Sequence, residues 1–140
     1  MRILIHSEND VVLGPMVYGF MDYYTSKKVT VHIKGIKRKN IHPTVKKVMK
    51  STGIDFDSSF KTFEKSKSSK QEYSFHLTAG HPVTDQVISL HLDGLESPVG
   101  WDDLKKSEFK KLRSKVRTIC EDFVEQYVEG DHIRNKKIPA

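Results

Sequence analysis

A short apolar strand followed by a polar loop and an amphipathic helix opens the sequence. Residues 2 to 6 begin with RILI, a run that is typical of a buried strand. Pro15 fits the first turn of a helix, because the missing N–H group of proline needs no partner there. Apolar residues then recur at helical spacing to about residue 26: Met16, Val17, Phe20, Met21 and Tyr24. This order of elements favours an α/β fold.

The rest of the chain repeats the alternation of strands and helices. Pro43 and Gly53 predict a helix over residues 43–52, and an apolar stripe predicts another from Ser107 to Glu129. Runs that alternate or are rich in β-branched residues predict further strands over residues 29–34, 72–79 and 87–92. The pattern therefore predicts a three-layer α/β fold, in which a four-stranded parallel sheet is flanked by helices.

The length of the chain, 140 residues, fits one domain. We predict a single domain over residues 1–130 and a basic C-terminal tail over residues 131–140. The serine-rich segment 57–71 is predicted to be a long surface loop. No run of eighteen apolar residues occurs, and no signal-like segment follows Met1. The sequence thus predicts a cytoplasmic protein that does not bind a membrane.

Composition excludes several classes of function. The single cysteine, Cys120, excludes an internal disulfide and a cysteine-based zinc cluster, and it falls beside the apolar stripe of the last helix, where we expect a packed thiol. The formal charge is +6, but the basic residues are scattered, with denser stretches at 34–39 and between Lys61 and Lys70. Neither stretch interleaves with an aromatic platform, so we expect solvated surfaces rather than a nucleic-acid site.

The loop after the first strand lies where ligands of α/β sheets bind, beyond the carboxyl ends of the strands. Its sequence, HSENDVVLGPM at residues 6–16, contains Glu8 and Asp10 but no lysine, arginine or cysteine. Such a loop is poorly suited to an anion.

Four segments in order resemble the low-molecular-weight protein tyrosine phosphatases, and among them the thioredoxin-coupled arsenate reductases. The segments are ILIHSENDVVLGPM, IHPTVKKVMKSTGIDFDSS, WDDL and FKKLRSKVRTICEDFVEQYV. They resemble the phosphate loop, the His-Pro helix with its Gly-Ile-Asp end, the general-acid loop and the final helix of that family. The resemblance covers about residues 2–128 and implies the phosphotyrosine phosphatase I-like fold.

The catalytic residues of that family do not carry over. By this resemblance the nucleophilic cysteine falls on Ser7, the loop arginine on Leu13 and the general acid on Asp103, which is followed by Leu104 instead of proline. The segment TAGHPVTDQ lacks the two further cysteines of the reductases. The resemblance therefore excludes arsenate reduction by the family mechanism.

The replacements also weaken phosphate binding on physical grounds. A serine hydroxyl is a poor nucleophile unless a base activates it, and Leu13 offers no hydrogen-bond donor. Two ionised carboxylates, Glu8 and Asp10, would repel an anion. We therefore expect weak or absent phosphate binding.

Candidate binding residues cluster at the same edge of the predicted sheet. They are Glu8, Asn9, Asp10, Gly14, Trp101 and Asp102. Calcium loops supply more oxygen ligands at set spacing, so no metal site is predicted, and no cofactor is expected. Histidines fall in or at the ends of four strands, and we expect separate packing or hydrogen-bonding roles for His6, His32, His76 and His91.

The sequence thus predicts a catalytically inactive phosphatase-like protein, a binding or regulatory module that acts through contacts with an unidentified protein partner or as a homodimer. One alternative is a hydrolase that acts on a phosphoester through Ser7 and Asp103. The other is a nucleic-acid binder that uses the basic loop around Lys34, Lys37, Arg38 and Lys39.

Overall fold

The computed structural model describes most of the chain. The described residues are 1–7, 10–58, 60–62, 73–79, 87–90, 104–128 and 130–133, with the backbone alone for 79 and 87–90.

Four parallel strands form the sheet, in agreement with the predicted fold class. They are β1 (Arg2–His6), β2 (Thr30–Lys34), β3 (Phe75–Ala79) and β4 (Val87–Leu90). Their spatial order is β2-β1-β3-β4. The sheet is flanked by the helices α1 (Leu13–Tyr24), α2 (Pro43–Lys50) and α3 (Lys106–Tyr127). Short 3-10 turns lie at Arg38–Asn40 and Gly130–His132.

The core lies between one face of the sheet and the helices. Ile3 and Ile5 of β1 are fully buried in one apolar cluster with residues of α1, α2 and α3. Leu4 points to the opposite face because side chains alternate along a strand. Cys120 of α3 is fully buried, with its Sγ 4.0 Å from the carbonyl oxygen of Val17, and burial raises the pKa of its thiol. The expectation of a packed thiol is confirmed.

Helix α1 begins two residues earlier than predicted, at Leu13 instead of Pro15. Pro15 still lies in the first turn, where proline is tolerated. Helix α2 begins at Pro43 as predicted, and the side chain of His42 accepts a hydrogen bond from the N–H of Thr44. The turn after α2 contains Gly53 at φ +91°, which explains why a glycine ends this segment.

Parts of two predicted irregular segments contact the domain. Of the predicted loop 57–71, Lys61 and Thr62 run beside β2, where the N–H of Ile33 donates to the carbonyl oxygen of Lys61 at 2.9 Å. Of the predicted tail, Asp131 forms an ion pair with Lys28 at 2.9 Å. The other residues of both segments fall largely outside the described ranges. None of the helices that the structure describes has the length and hydrophobicity needed to cross a membrane.

Candidate functional site

The loop that follows β1 is anchored on both sides by backbone hydrogen bonds. The N–H of Ser7 donates to the carbonyl oxygen of Lys34, at the end of β2, over 2.7 Å. The N–H of His42 donates to the carbonyl oxygen of Val11 over 3.0 Å, and the ring of His42 lies 5.0 Å from that of Phe109 in α3. The loop is thus held between the end of β2 and the starts of α2 and α3.

Ser7 is buried and its hydroxyl is engaged by the backbone. Its exposed fraction is 1%, and Oγ donates to the carbonyl oxygen of Asp10 over 2.6 Å. The N–H of Asp10 donates back to the carbonyl oxygen of Ser7 over 3.1 Å. Ser7 is therefore held by the backbone of its own loop.

The carboxylate of Asp10 binds the first amides of α1. Its Oδ1 accepts the N–H groups of Val12 at 2.9 Å and Leu13 at 2.7 Å. The first N–H groups of a helix have no partner within the helix, so this side chain satisfies two of them. A negative charge at this position is also favoured by the helix dipole. Asp10 therefore stabilises the first turn and explains the early start of α1.

Two opposing effects act on the pKa of Asp10. Burial raises this pKa above its ordinary value of 3.8, and the hydrogen bonds from the N–H groups of Val12, Leu13 and Gly14 lower it. Burial is the larger effect, so the net direction is upward. The folded protein consequently binds a proton at Asp10 more tightly than the unfolded chain does.

This pKa shift predicts a pH dependence of stability. The stabilisation from protonating Asp10 is fully present below pH 3.8 and is lost as the pH rises through the raised pKa. Because Asp10→Asn keeps an acceptor oxygen but does not titrate, the stability of wild type relative to this variant should fall over the same interval. Urea unfolding of both proteins across that pH range measures the difference. Asp122→Asn, at an exposed position of α3, serves as control, and a difference that rises with pH would contradict the prediction.

Gly14 packs directly against Ser7. A Cβ atom at position 14 would lie 1.9 Å from Oγ of Ser7 and 2.5 Å from its Cβ. No side chain fits at this separation, so the close contact between the loop and α1 requires glycine.

Leu13, the first residue of α1, is 7% exposed and belongs to the apolar core. It is an aliphatic side chain without a donor, next to backbone amides that already hold the carboxylate of Asp10. The position that the resemblance assigns to an arginine is therefore part of the core in this protein.

The histidines on the strands form one close pair, contrary to the expectation of entirely separate roles. Nε2 of His6 lies 3.0 Å from Nδ1 of His76, because the two residues are diagonal neighbours on adjacent parallel strands. Nδ1 of His32 instead lies 2.8 Å from the hydroxyl of Tyr73. Among the described residues, no three His, Cys, Asp or Glu side chains converge on a point where they could hold a metal ion.

Several predicted site residues lie outside the described residues. They are Glu8, Asn9, Trp101, Asp102 and Asp103, and the strand histidine His91 also lies outside them. Of the predicted set, the structure brings together Ser7, Asp10, Leu13 and Gly14.

Comparison with solved structures identifies the fold. The sequence alone matches no protein-family profile and no curated protein. An arsenate reductase in its oxidised state aligns with a TM-score of 0.64 at 18% identity, over 89% of this chain and 96% of that chain. A variant of the arginine phosphatase YwlE aligns with a TM-score of 0.69 at 15% identity, over 93% of this chain and 97% of that chain.

A low-molecular-weight protein tyrosine phosphatase from Streptococcus pyogenes aligns with a TM-score of 0.64 at 13% identity, over 93% of this chain and 95% of that chain. The chain has the low-molecular-weight phosphatase fold. Because these identities are below 20%, the likeness shows the phosphatase fold and not the activity of any of these proteins.

The hydrogen bonds from the N–H groups of Val12 and Leu13 to Asp10 were not anticipated from the sequence, which indicated only an acidic loop with candidate binding residues. A signal existed, because an aspartate shortly before an apolar helical stripe is a common N-terminal cap. This signal was outweighed by Pro15, which suggested that the helix starts later.

Proposed function

We propose that this protein is a catalytically inactive member of the phosphatase fold that acts as a binding or regulatory module through protein contacts. The main support for this proposal is the position of the Asp10 carboxylate, which accepts hydrogen bonds from the N–H groups of Val12 and Leu13 at 2.9 and 2.7 Å.

The amides at the start of a helix are the groups that hold phosphate in many proteins. In this loop an internal carboxylate already uses two of them. A phosphate would have to displace that carboxylate or bind beside it, and two anions in contact repel each other. The carboxylate of Asp10 therefore occupies the place at the start of α1 that a bound anion would take.

The remaining groups offer little to phosphoryl transfer. Oγ of Ser7 donates its proton to a backbone carbonyl, which is not a base that could accept it in a reaction. Leu13 has no charge to stabilise a transferring phosphoryl group. These features support a surface that binds without turnover.

Titration with oxyanions tests the proposal. We expect that phosphate, arsenate and vanadate leave the melting temperature of the wild-type protein unchanged at fixed ionic strength, since a ligand of the folded state would raise it. We also expect no hydrolysis of p-nitrophenyl phosphate above that of Ser7→Ala. Sodium chloride at equal ionic strength is the control. Saturable stabilisation by an oxyanion that Ser7→Ala abolishes would overturn the proposal.

A second candidate is a phosphoester hydrolase that uses Ser7 and Asp103. One observation favours it: the YwlE variant carries a phosphorylated active-site serine, so a serine in this fold can hold a phosphoryl group. Mass spectrometry of the intact protein after incubation with p-nitrophenyl phosphate separates the two candidates. A gain of one phosphoryl group in wild type, absent in Ser7→Ala, would favour the hydrolase.

We further propose a cytoplasmic location and a protein partner. The single cysteine, Cys120, is fully buried and takes no part in a disulfide, which fits a reducing compartment.

A further inference from the structure

The solvent-facing side of α3 is basic in its first half and acidic in its second half. Six exposed residues share this side of the helix, because their spacing follows the helical period: Lys111, Ser114, Lys115, Thr118, Asp122 and Glu125. The buried residues of α3, which pack into the core, lie on the opposite side. We refer to the six exposed residues as the outer face.

The charges of the outer face do not stabilise α3 itself. Lys111 and Lys115 are four residues apart, a spacing at which like charges repel each other. Glu125 lies in the last turn, where the helix dipole disfavours a negative charge. Within the part of the chain that the structure describes, none of the charged residues of the outer face forms an ion pair. The stability of the helix therefore does not explain this distribution of charge.

Two small side chains occupy the middle of the outer face, and both hydroxyl groups already have an acceptor. Oγ of Ser114 donates to the carbonyl oxygen of Lys110 over 3.1 Å, and Oγ1 of Thr118 donates to the carbonyl oxygen of Ser114 over 3.1 Å. Burial of these hydroxyl groups would thus leave neither donor without a partner. Small side chains also allow two helices to approach closely. The middle of the outer face can therefore pack against a second helix.

The outer face is complementary to itself in the antiparallel direction. In a pair of identical helices related by a twofold axis beside Thr118, each residue faces the residue of the other copy that lies equally far on the other side of Thr118. Lys111 and Glu125 are each seven residues from Thr118. Lys115 and Asp122 are three and four residues from it. Each lysine would therefore face an acid of the other copy, at about 10 Å and about 5 Å from the axis.

We propose that the outer face binds a second copy of this chain, with the two α3 helices antiparallel. This inference rests on the proposed function, a module that acts through protein contacts, and it identifies one partner and its contact surface. A contact of one helix from each copy is smaller than a standard interface, and exposed ion pairs contribute little. The dimer should therefore form at high protein concentration, and the dilute protein of the unfolding experiments should be monomeric.

The order of charges favours a second copy over a partner of one charge sign. An acidic segment would be attracted by the two lysines of the outer face and repelled by its two acids, and a basic segment would meet the reverse. A nucleic acid would likewise be repelled by the acidic half. Antiparallel pairing matches both halves at once, and it also sets the dipoles of the two helices in opposite directions.

Sedimentation equilibrium of the wild-type protein tests the inference. At low salt, the average mass should rise with protein concentration from that of the monomer towards twice that value. High salt should shift the association to higher protein concentration, because salt screens the attraction between exposed charges.

Two charge-reversed variants test which surface is used. Lys111→Glu with Lys115→Glu, the lysine variant, makes the charges of the outer face all negative, and Asp122→Lys with Glu125→Lys, the acid variant, makes them all positive. Each variant alone should associate at least about tenfold more weakly than wild type. An equal mixture of the two should form a dimer. Since the mixture can pair only if both variants are folded, misfolding cannot produce this result.

A matched control separates the outer face from net charge. Lys37→Glu with Lys39→Glu changes the net charge by the same amount as the lysine variant, at exposed positions outside α3. This control should dimerise like wild type.

Cross-linking tests the antiparallel direction. The native Cys120 is fully buried, so the introduced thiol of Thr118→Cys is the one that a maleimide can reach. A short bis-maleimide should link two Thr118→Cys chains, because this position lies beside the axis. Ser107, which is also exposed, lies about 16 Å from Thr118 along the helix, so the two thiols of a Ser107→Cys dimer should be about 33 Å apart and should not be linked.

Four results would overturn the inference: a wild-type protein that stays monomeric at about 1 mM and low salt, equal weakening in the lysine variant and the control, no dimer in the mixture of variants, or equal cross-linking of Ser107→Cys and Thr118→Cys. None of them bears on the proposal that the site is inactive, which depends on oxyanion titration and phosphoryl transfer at Ser7.

Discussion

Replacing Gly14 by alanine should lower the free energy of unfolding by about 3 kcal/mol. The new Cβ would lie 1.9 Å from Oγ of Ser7 and 2.5 Å from its Cβ, so either the loop or the start of α1 must move. Ser7 is held by backbone hydrogen bonds to Lys34 and Asp10, and α1 by its core contacts, so neither can move cheaply. Urea unfolding measures the loss.

The double variant with Ser7→Gly identifies the cause. Glycine at position 7 removes both clashing atoms and leaves Cα of Ser7 at 3.2 Å from the new Cβ, so it should recover part of the stability that Gly14→Ala loses. Gly130→Ala is the control, because a Cβ there meets no atom within 4 Å. If the two changes at positions 7 and 14 were simply additive, the close contact would not be the source of the loss.

Replacing Asp10 by alanine should destabilise the protein by about 1 to 3 kcal/mol and create affinity for phosphate. The N–H groups of Val12 and Leu13 lose their shared acceptor, and the loop loses a negative charge. Phosphate can then use the free amides, and at ten times its Kd it would return about 1.4 kcal/mol of stability. Thermal unfolding with and without phosphate measures both effects.

Asp10→Asn is the matched variant for this experiment. It keeps an acceptor oxygen for the amides of α1 and removes only the charge, so it should lose less stability than Asp10→Ala and gain less from phosphate. If phosphate stabilised wild type and Asp10→Ala equally, the carboxylate of Asp10 would not be what keeps anions out.

The sequence predicted the architecture well because the spacing of apolar residues follows which side of each strand or helix is buried. The alternation in VTVHIK, the stripe from Phe109 to Phe123 and the prolines at positions 15 and 43 each report a local constraint that the structure satisfies. The predicted ends of the strands and helices were less accurate. The third strand was predicted to begin at residue 72 and begins at Phe75, since the residues preceding a strand carry no sharp signal when they are also polar and aromatic.

Contacts between residues that are far apart in the sequence could not be predicted from periodicity. The pairing of His6 with His76 depends on the register of two strands separated by some seventy residues of chain. The hydrogen bonds from Arg113 to the carbonyl oxygen of Val48 and to Oγ of Ser51, at the end of α2, likewise depend on how two helices pack. Neither contact leaves a signal in the sequence. The partners lie in different segments, and each segment shows only the pattern of its own strand or helix.

The sequence by itself determined that this chain has an α/β fold with a four-stranded parallel sheet, and that the loop after the first strand lacks a cysteine and an arginine. Only the tertiary structure decided which groups of that loop bind one another. The carboxylate of Asp10 turns back onto the amides of α1, and Gly14 lets Ser7 pack against the helix. Residue types set which groups are present, whereas hydrogen-bond partners depend on backbone directions that are fixed when the strand, loop and helix pack together.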